Sequence, residues 1–162
     1  RALSAGKMDI YEAYSEIKKI RDVRQFTGIL YGLSFVGVAL FFTMMLGGDF
    51  TDCMVAGVAG LAMAITQWAL VPFGFNSFFL NMISTLSMAL TAVGFQRFVF
   101  ANMNIDLVII GGIMPIVPGV IFTTAMRDTL NGDYTAGVSR MLETGVVAFA
   151  VAVGVALAYV IL

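Results

Sequence analysis

Five apolar stretches separated by short polar breaks set the pattern of this chain. They run over 26–46, 52–71, 78–95, 105–125 and 141–162. Gly47-Gly48-Asp49 closes the first and Pro72-Phe73-Gly74 the second. Each holds about twenty residues, which at ~1.5 Å per residue crosses a hydrocarbon core of ~30 Å as a helix. Short connections make neighbouring spans antiparallel. Ahead of them, residues 8–25 read as a helix outside the membrane. Asp9 and Glu12 fit a capping box, Ile10, Tyr14, Ile17 and Val23 fall near helical spacing, and Lys18, Lys19, Arg21 and Arg24 are interleaved. The pattern predicts an all-α polytopic membrane protein. Residues 1–25 form a cytoplasmic juxtamembrane helix, and residues 26–162 form a five-span domain with one broken helix.

Composition agrees. Of 162 residues, 60% are hydrophobic and 12% charged, and the mean hydropathy is +0.95. That charge content is about half of a soluble domain's. A net charge of −1 gives no reason to expect nucleic acid. The single cysteine, Cys53, and the lack of histidine argue against a disulfide, a metal centre or hydrolytic chemistry, so neither an enzyme nor a bound cofactor is expected. Proton coupling would fall to Asp or Glu. With the N-terminus in the cytoplasm, eight basic residues lie inside and only Arg97 lies outside, a positive-inside bias. Asp49 and Asp52 then face out. The chain opens at Arg1 in polar sequence with no apolar leader segment, so an upstream portion is expected.

The fourth span carries the strongest irregularity. Pro115 and Pro118 each remove a helical N–H, and Gly119 offers backbone freedom. Two half-helices with an unwound link are expected, the second starting near Gly119 with a partial positive end suited to a carboxylate. A proline kink satisfied by neighbouring helices is the simpler alternative. In the third span, Ser77, Asn81, Ser84 with Thr85, and Thr91 share one face. Such a face bonds to neighbouring helices or lines a polar path, and Asn81 is its best single candidate. Arg127 and Asp128 end the fourth span, Asp133 follows in an Asn131-Gly132-Asp133 turn, and Arg140 and Glu143 are close enough in sequence to pair. An arginine can grip a carboxylate and an aspartate an ammonium; the same residues could form a gate of ion pairs or anchor a loop. Glu143, nearest the apolar fifth span, is the better proton-titrating group. Asp106 suits a helix N-terminus, Trp68 and Tyr159 suit the membrane interface, and Gly28/Gly32 and Ala56/Gly60 have the spacing of close helix contacts.

Taken together, these residues resemble the threonine/serine exporter family. The opening Arg1-Ala2-Leu3-Ser4-Ala5-Gly6-Lys7 with Tyr11-Glu12-Ala13, the turn Leu46-Gly47-Gly48-Asp49, the run from Asp106 to Gly119, and then Arg127-Asp128, Gly132-Asp133, Gly137, Arg140 and Glu143 follow the family's order. Pro115 departs from it, standing where a leucine-like residue is common. The resemblance implies a bacterial inner-membrane secondary transporter that exports small hydroxy amino acids by exchange with protons. It also implies a second membrane half, fused downstream or supplied as a small subunit, with this chain the larger subunit of the split form. Two-subunit members are linked with dicarboxylate (succinate) export, which stands as an alternative; a non-transporting membrane assembly subunit is another. The partners expected are a small-molecule substrate, the lipid bilayer and the second half, in an oligomeric assembly. The candidate substrate-binding or gating residues are Asn81, Pro118, Gly119, Thr123, Arg127, Asp128 and Arg140. Glu143 and Asp128 are the candidates for proton coupling.

Overall fold

The computed structural model describes residues 28–162. The juxtamembrane helix expected over 8–25, with its Asp9/Glu12 cap, lies outside the described residues. Six α-helices follow: α1 (Gly28–Met45), α2 (Phe50–Leu70), α3 (Ser77–Phe98), α4 (Ile105–Ile113), α5 (Gly119–Leu130) and α6 (Tyr134–Ile161). A 3-10 turn, Val71–Phe73, ends α2, and the described residues contain no strand. Four of the helices, α1, α2 with its 3-10 turn, α3 and α6, are long and apolar enough to cross a membrane. The fourth apolar run, expected to make a broken crossing, is divided between α4 and α5. At about 13 Å and 18 Å, α4 and α5 are each too short to span alone.

The turn chemistry explains the ends. At Gly47 (φ +90°) the chain leaves α1 as the Gly48 N–H bonds to the Thr43 carbonyl and the Gly47 N–H to that of Met44. Gly132 (φ +87°) ends α5 the same way, with Asp133 N–H on Asp128 and Gly132 N–H on Thr129. In both, a glycine takes the left-handed conformation that a Schellman motif requires. Asp133 then caps α6, accepting from Ala136 N–H at 3.1 Å. With this cap α6 begins seven residues before the apolar run at 141. Arg140 and Glu143 therefore stand well inside a helix rather than at its start.

Small residues let the helices approach. α6 packs most extensively on α3, α3 also on α2, and α5 on α6. A Cβ at Gly154 would stand 2.6 Å from the Met82 carbonyl oxygen and 3.0 Å from Thr85 Cβ, so α6 meets α3 backbone to backbone. Of the two small-residue pairs read from sequence, Ala56/Gly60 does make such a contact. Ala56 is fully buried, and a Cβ at Gly60 would meet Ala39 Cβ and the Phe35 carbonyl at 2.9 Å. Gly28/Gly32 does not, because nothing described lies within 4 Å of a Cβ at Gly32. The core around these contacts holds Ala39, Ala59, Met63, Met88, Ala92 and Val108, all fully buried.

The far end of the broken span is tied by Asp52, which is 4% exposed. Its Oδ2 accepts from the Asp49 N–H and its Oδ1 from the Asn104 N–H, each at 3.1 Å. Asp49 and Asn104 are the residues that cap α2 and α4, so one carboxylate fixes the start of both helices.

Candidate functional site

Between α4 and α5 the backbone unwinds over Met114–Pro118, where the two prolines stand. Pro115 cannot donate to the Gly111 carbonyl, which instead accepts from Met114 N–H at 3.3 Å. The Ile113 carbonyl accepts from both the Ile116 and the Val117 N–H, at 3.0 and 3.3 Å. The first break is thus largely repaired by tightened turns, whereas Pro118 takes away the helical donor of the Met114 carbonyl. Pro118 also provides no side-chain cap for α5. The glycine-only backbone expected at Gly119 is not used, since its φ is not positive, and a Cβ there would meet open space.

The break lines a cavity of about 600 Å³. Pro115, Ile116 and Pro118 form one wall and Ile121 of α5 continues it. Tyr31 and Phe35 of α1 and Gln67 of α2 face them, with Asn76, Ser77 and Asn81 at the start of α3 and Glu143, Val146 and Val147 on α6. Antiparallel packing explains the gathering, because the start of α1, the end of α2, the start of α3 and the first half of α6 all lie at one end of the bundle.

A row of polar side chains crosses this wall. The Tyr31 hydroxyl donates to Gln67 Oε1, and Gln67 Nε2 donates to Asn81 Oδ1 at 3.4 Å. Gln67 is 7% exposed, so its amide needs such partners. With Asn81 Oδ1 taken, the amide retains its N–H donors. Glu143 is the only charged side chain lining the cavity among the described residues.

The sequence-derived candidates divide. Asn81, Pro118 and Glu143 come together around the cavity. Gly119, Thr123, Arg127, Asp128 and Arg140 do not line it. Thr123 donates to the Val120 carbonyl at 3.1 Å and is exposed on α5, as is Arg127 near the C-terminal end of that helix. Arg140 is paired with Asp128, its Nη1 donating to Oδ2, and not with Glu143 as the sequence spacing had suggested. The reason lies in the α5–α6 hairpin. A Cβ at Gly137 would meet Thr129 Oγ1 at 2.2 Å and the Ala125 carbonyl at 3.2 Å. This close approach brings Arg140 beside Asp128, while Glu143 turns toward the cavity.

The α3 stripe divides too. Ser84 donates to the Leu80 carbonyl at 2.7 Å, Thr91 to that of Ser87 at 2.8 Å, and Thr66 of α2 to Ser87 Oγ at 2.8 Å. Ser84 and Thr91 are therefore spent on helix backbone, the buried Thr85 hydroxyl has no partner among the described residues, and only Ser77 and Asn81 reach the cavity. Tyr31 and Gln67 were not singled out from sequence. Gln67 carried a usable signal, a lone amide in an apolar span, where such a group needs a partner.

The family described as "Putative threonine/serine exporter" matches this chain over residues 1–162. No curated protein and no solved structure gave a match.

Proposed function

The chain belongs to the threonine/serine exporter family, and from that premise we propose that it is one membrane half of a secondary active exporter of threonine and serine. The observation that carries this reading is the broken span opening onto a largely apolar cavity that gathers a few polar side chains, Tyr31, Gln67, Asn81 and Glu143 among them. Inside a bilayer, unwound backbone is tolerated where protein or a water-filled cavity satisfies it, and transporters place substrate at such breaks. The first turn of α5, lacking a side-chain cap, adds a partial positive charge beside the break.

Substrate occupies the cavity beside Asn81 and Pro118. Glu143 and Asp128 are the carboxylates available for proton exchange. The Arg140–Asp128 pair clasps the α5–α6 hairpin and acts as a gate when the hairpin moves, with Thr123 and Arg127 on the exposed side of α5 at its entrance. The positive-inside bias of the sequence supports a cytoplasmic N-terminus in a bacterial inner membrane, and on that reading the cavity faces the cytoplasmic end of the bundle. Alternating access uses a second membrane half. Less than half of each of the four long apolar helices is buried within the chain, which leaves apolar surface for lipid and that partner.

The test is counterflow. Proteoliposomes holding the chain with its second half and loaded with unlabelled threonine should accumulate labelled threonine, and a proton gradient should drive net export. Counterflow with succinate but not with threonine would overturn the amino-acid reading in favour of dicarboxylate export.

A further inference from the structure

The charge distribution of the cavity bears on which solute it takes. Its lining carries one carboxylate, Glu143, and no lysine or arginine among the described residues. The nearest cation on the same helix, Arg140, is one turn away and engaged with Asp128. Glu143 is exposed within the chain, and a second anion brought beside it would meet like-charge repulsion. A cationic group is favoured there, because a charge-assisted hydrogen bond to a carboxylate is among the stronger polar contacts. The amide row is suited to the opposite task. The Tyr31 hydroxyl is donated to Gln67 and the Gln67 amide to Asn81, which leaves the Asn81 N–H groups as donors to an acceptor on the solute.

We propose that Glu143 binds the ammonium group of the substrate while Asn81, held by Gln67 and Tyr31, binds its carboxylate, so that the cavity selects a zwitterion and rejects a dicarboxylate. This rests on the exporter reading above and makes it specific. The site recognises an α-amino acid by two groups that line one cavity, one from α3 and one from α6. Neither group is an arginine. Arg127 and Arg140 are not substrate ligands.

The experiment is radioligand binding to the full chain with its second half in membranes, using labelled L-threonine competed by 2,3-dihydroxybutanoate, which lacks the amine, and by succinate. Glu143→Gln should weaken threonine about 10- to 100-fold, the range of one charge-assisted hydrogen bond, while affinity for 2,3-dihydroxybutanoate stays unchanged or rises. Asn81→Ala should weaken both ligands together. Succinate should compete poorly with wild type and better with Glu143→Gln. Threonine binding within twofold of wild type in Glu143→Gln overturns the ammonium assignment and leaves the exporter reading intact. Equal loss of both ligands in that variant also overturns it, as damage to the whole site. Wild type that binds succinate and not threonine overturns the exporter reading itself.

Discussion

Two carboxylates at opposite ends of the bundle show what separates a structural acid from an available one. Asp52 is buried, and each of its oxygens accepts a backbone N–H from the start of a helix. Its bonding capacity is committed to the fold. Glu143 lines an open cavity whose other polar groups are neutral amides and hydroxyls. Both acids sit on membrane-spanning helices, and composition alone does not tell them apart. The difference is whether the backbone has already claimed the oxygens. The broken span lies between these two environments: Asp52 fixes the start of α4, and the unwound link at the other end of α4 faces the Glu143 cavity. A span held firmly at one end and interrupted at its middle is suited to moving its second half against its first.

The largest effect should come from breaking the committed acid. Asp52→Ala removes the shared acceptor of the Asp49 and Asn104 N–H groups, which lie on exposed residues, and empties a buried side-chain position, at a cost of about 1–3 kcal/mol. Thermal unfolding in detergent should show a sharply lower midpoint and a poor yield of folded protein, with transport lost in proportion. If Asp52→Ala were as stable as wild type, the two acids would not differ as described. The Glu143→Gln variant sharpens the contrast from the other side, because its binding loss should come without a loss of thermal stability.

The smallest effect on stability should come from the hairpin clasp. Arg140 is 43% exposed at its side chain and Asp128 19%. A pair so open to its surroundings contributes about 0.2–1 kcal/mol, and Arg140→Ala should shift the unfolding midpoint only slightly. If the pair is a gate, the variant should still bind threonine while its exchange rate changes. Weakened binding with an unchanged rate would assign Arg140 to the substrate instead.

Much of this fold was legible in the sequence. Four of the five apolar runs form helices long and apolar enough to cross a membrane, Gly47 and Gly132 marked turns that need a left-handed residue, and two prolines marked the break between α4 and α5. What could not be read was which polar residues meet. Arg140 and Glu143 are three apart on one helix and looked like a pair, but the close approach of α5 at Gly137 offers Arg140 a different partner. Ser84 and Thr91 looked like part of a path along α3, yet a hydroxyl on a helix can bond the carbonyl one turn back, and these do. Asn81 has a longer side chain and a neighbour, Gln67, that comes from another span. Such juxtapositions depend on packing between helices, which periodicity along one helix does not encode.

The most direct test of the central claim, that solute sits at the break, is protection of the cavity wall from chemical labelling. Val147 lines the cavity without taking part in the proposed polar contacts. With Cys53 replaced by alanine, Val147→Cys should react with a small maleimide, and saturating threonine should slow that reaction several-fold. A cysteine in place of Ser139, exposed outside the cavity, should react at the same rate with or without threonine. Unslowed labelling of Val147→Cys, in a preparation that still exchanges threonine, would place the substrate elsewhere and contradict the account.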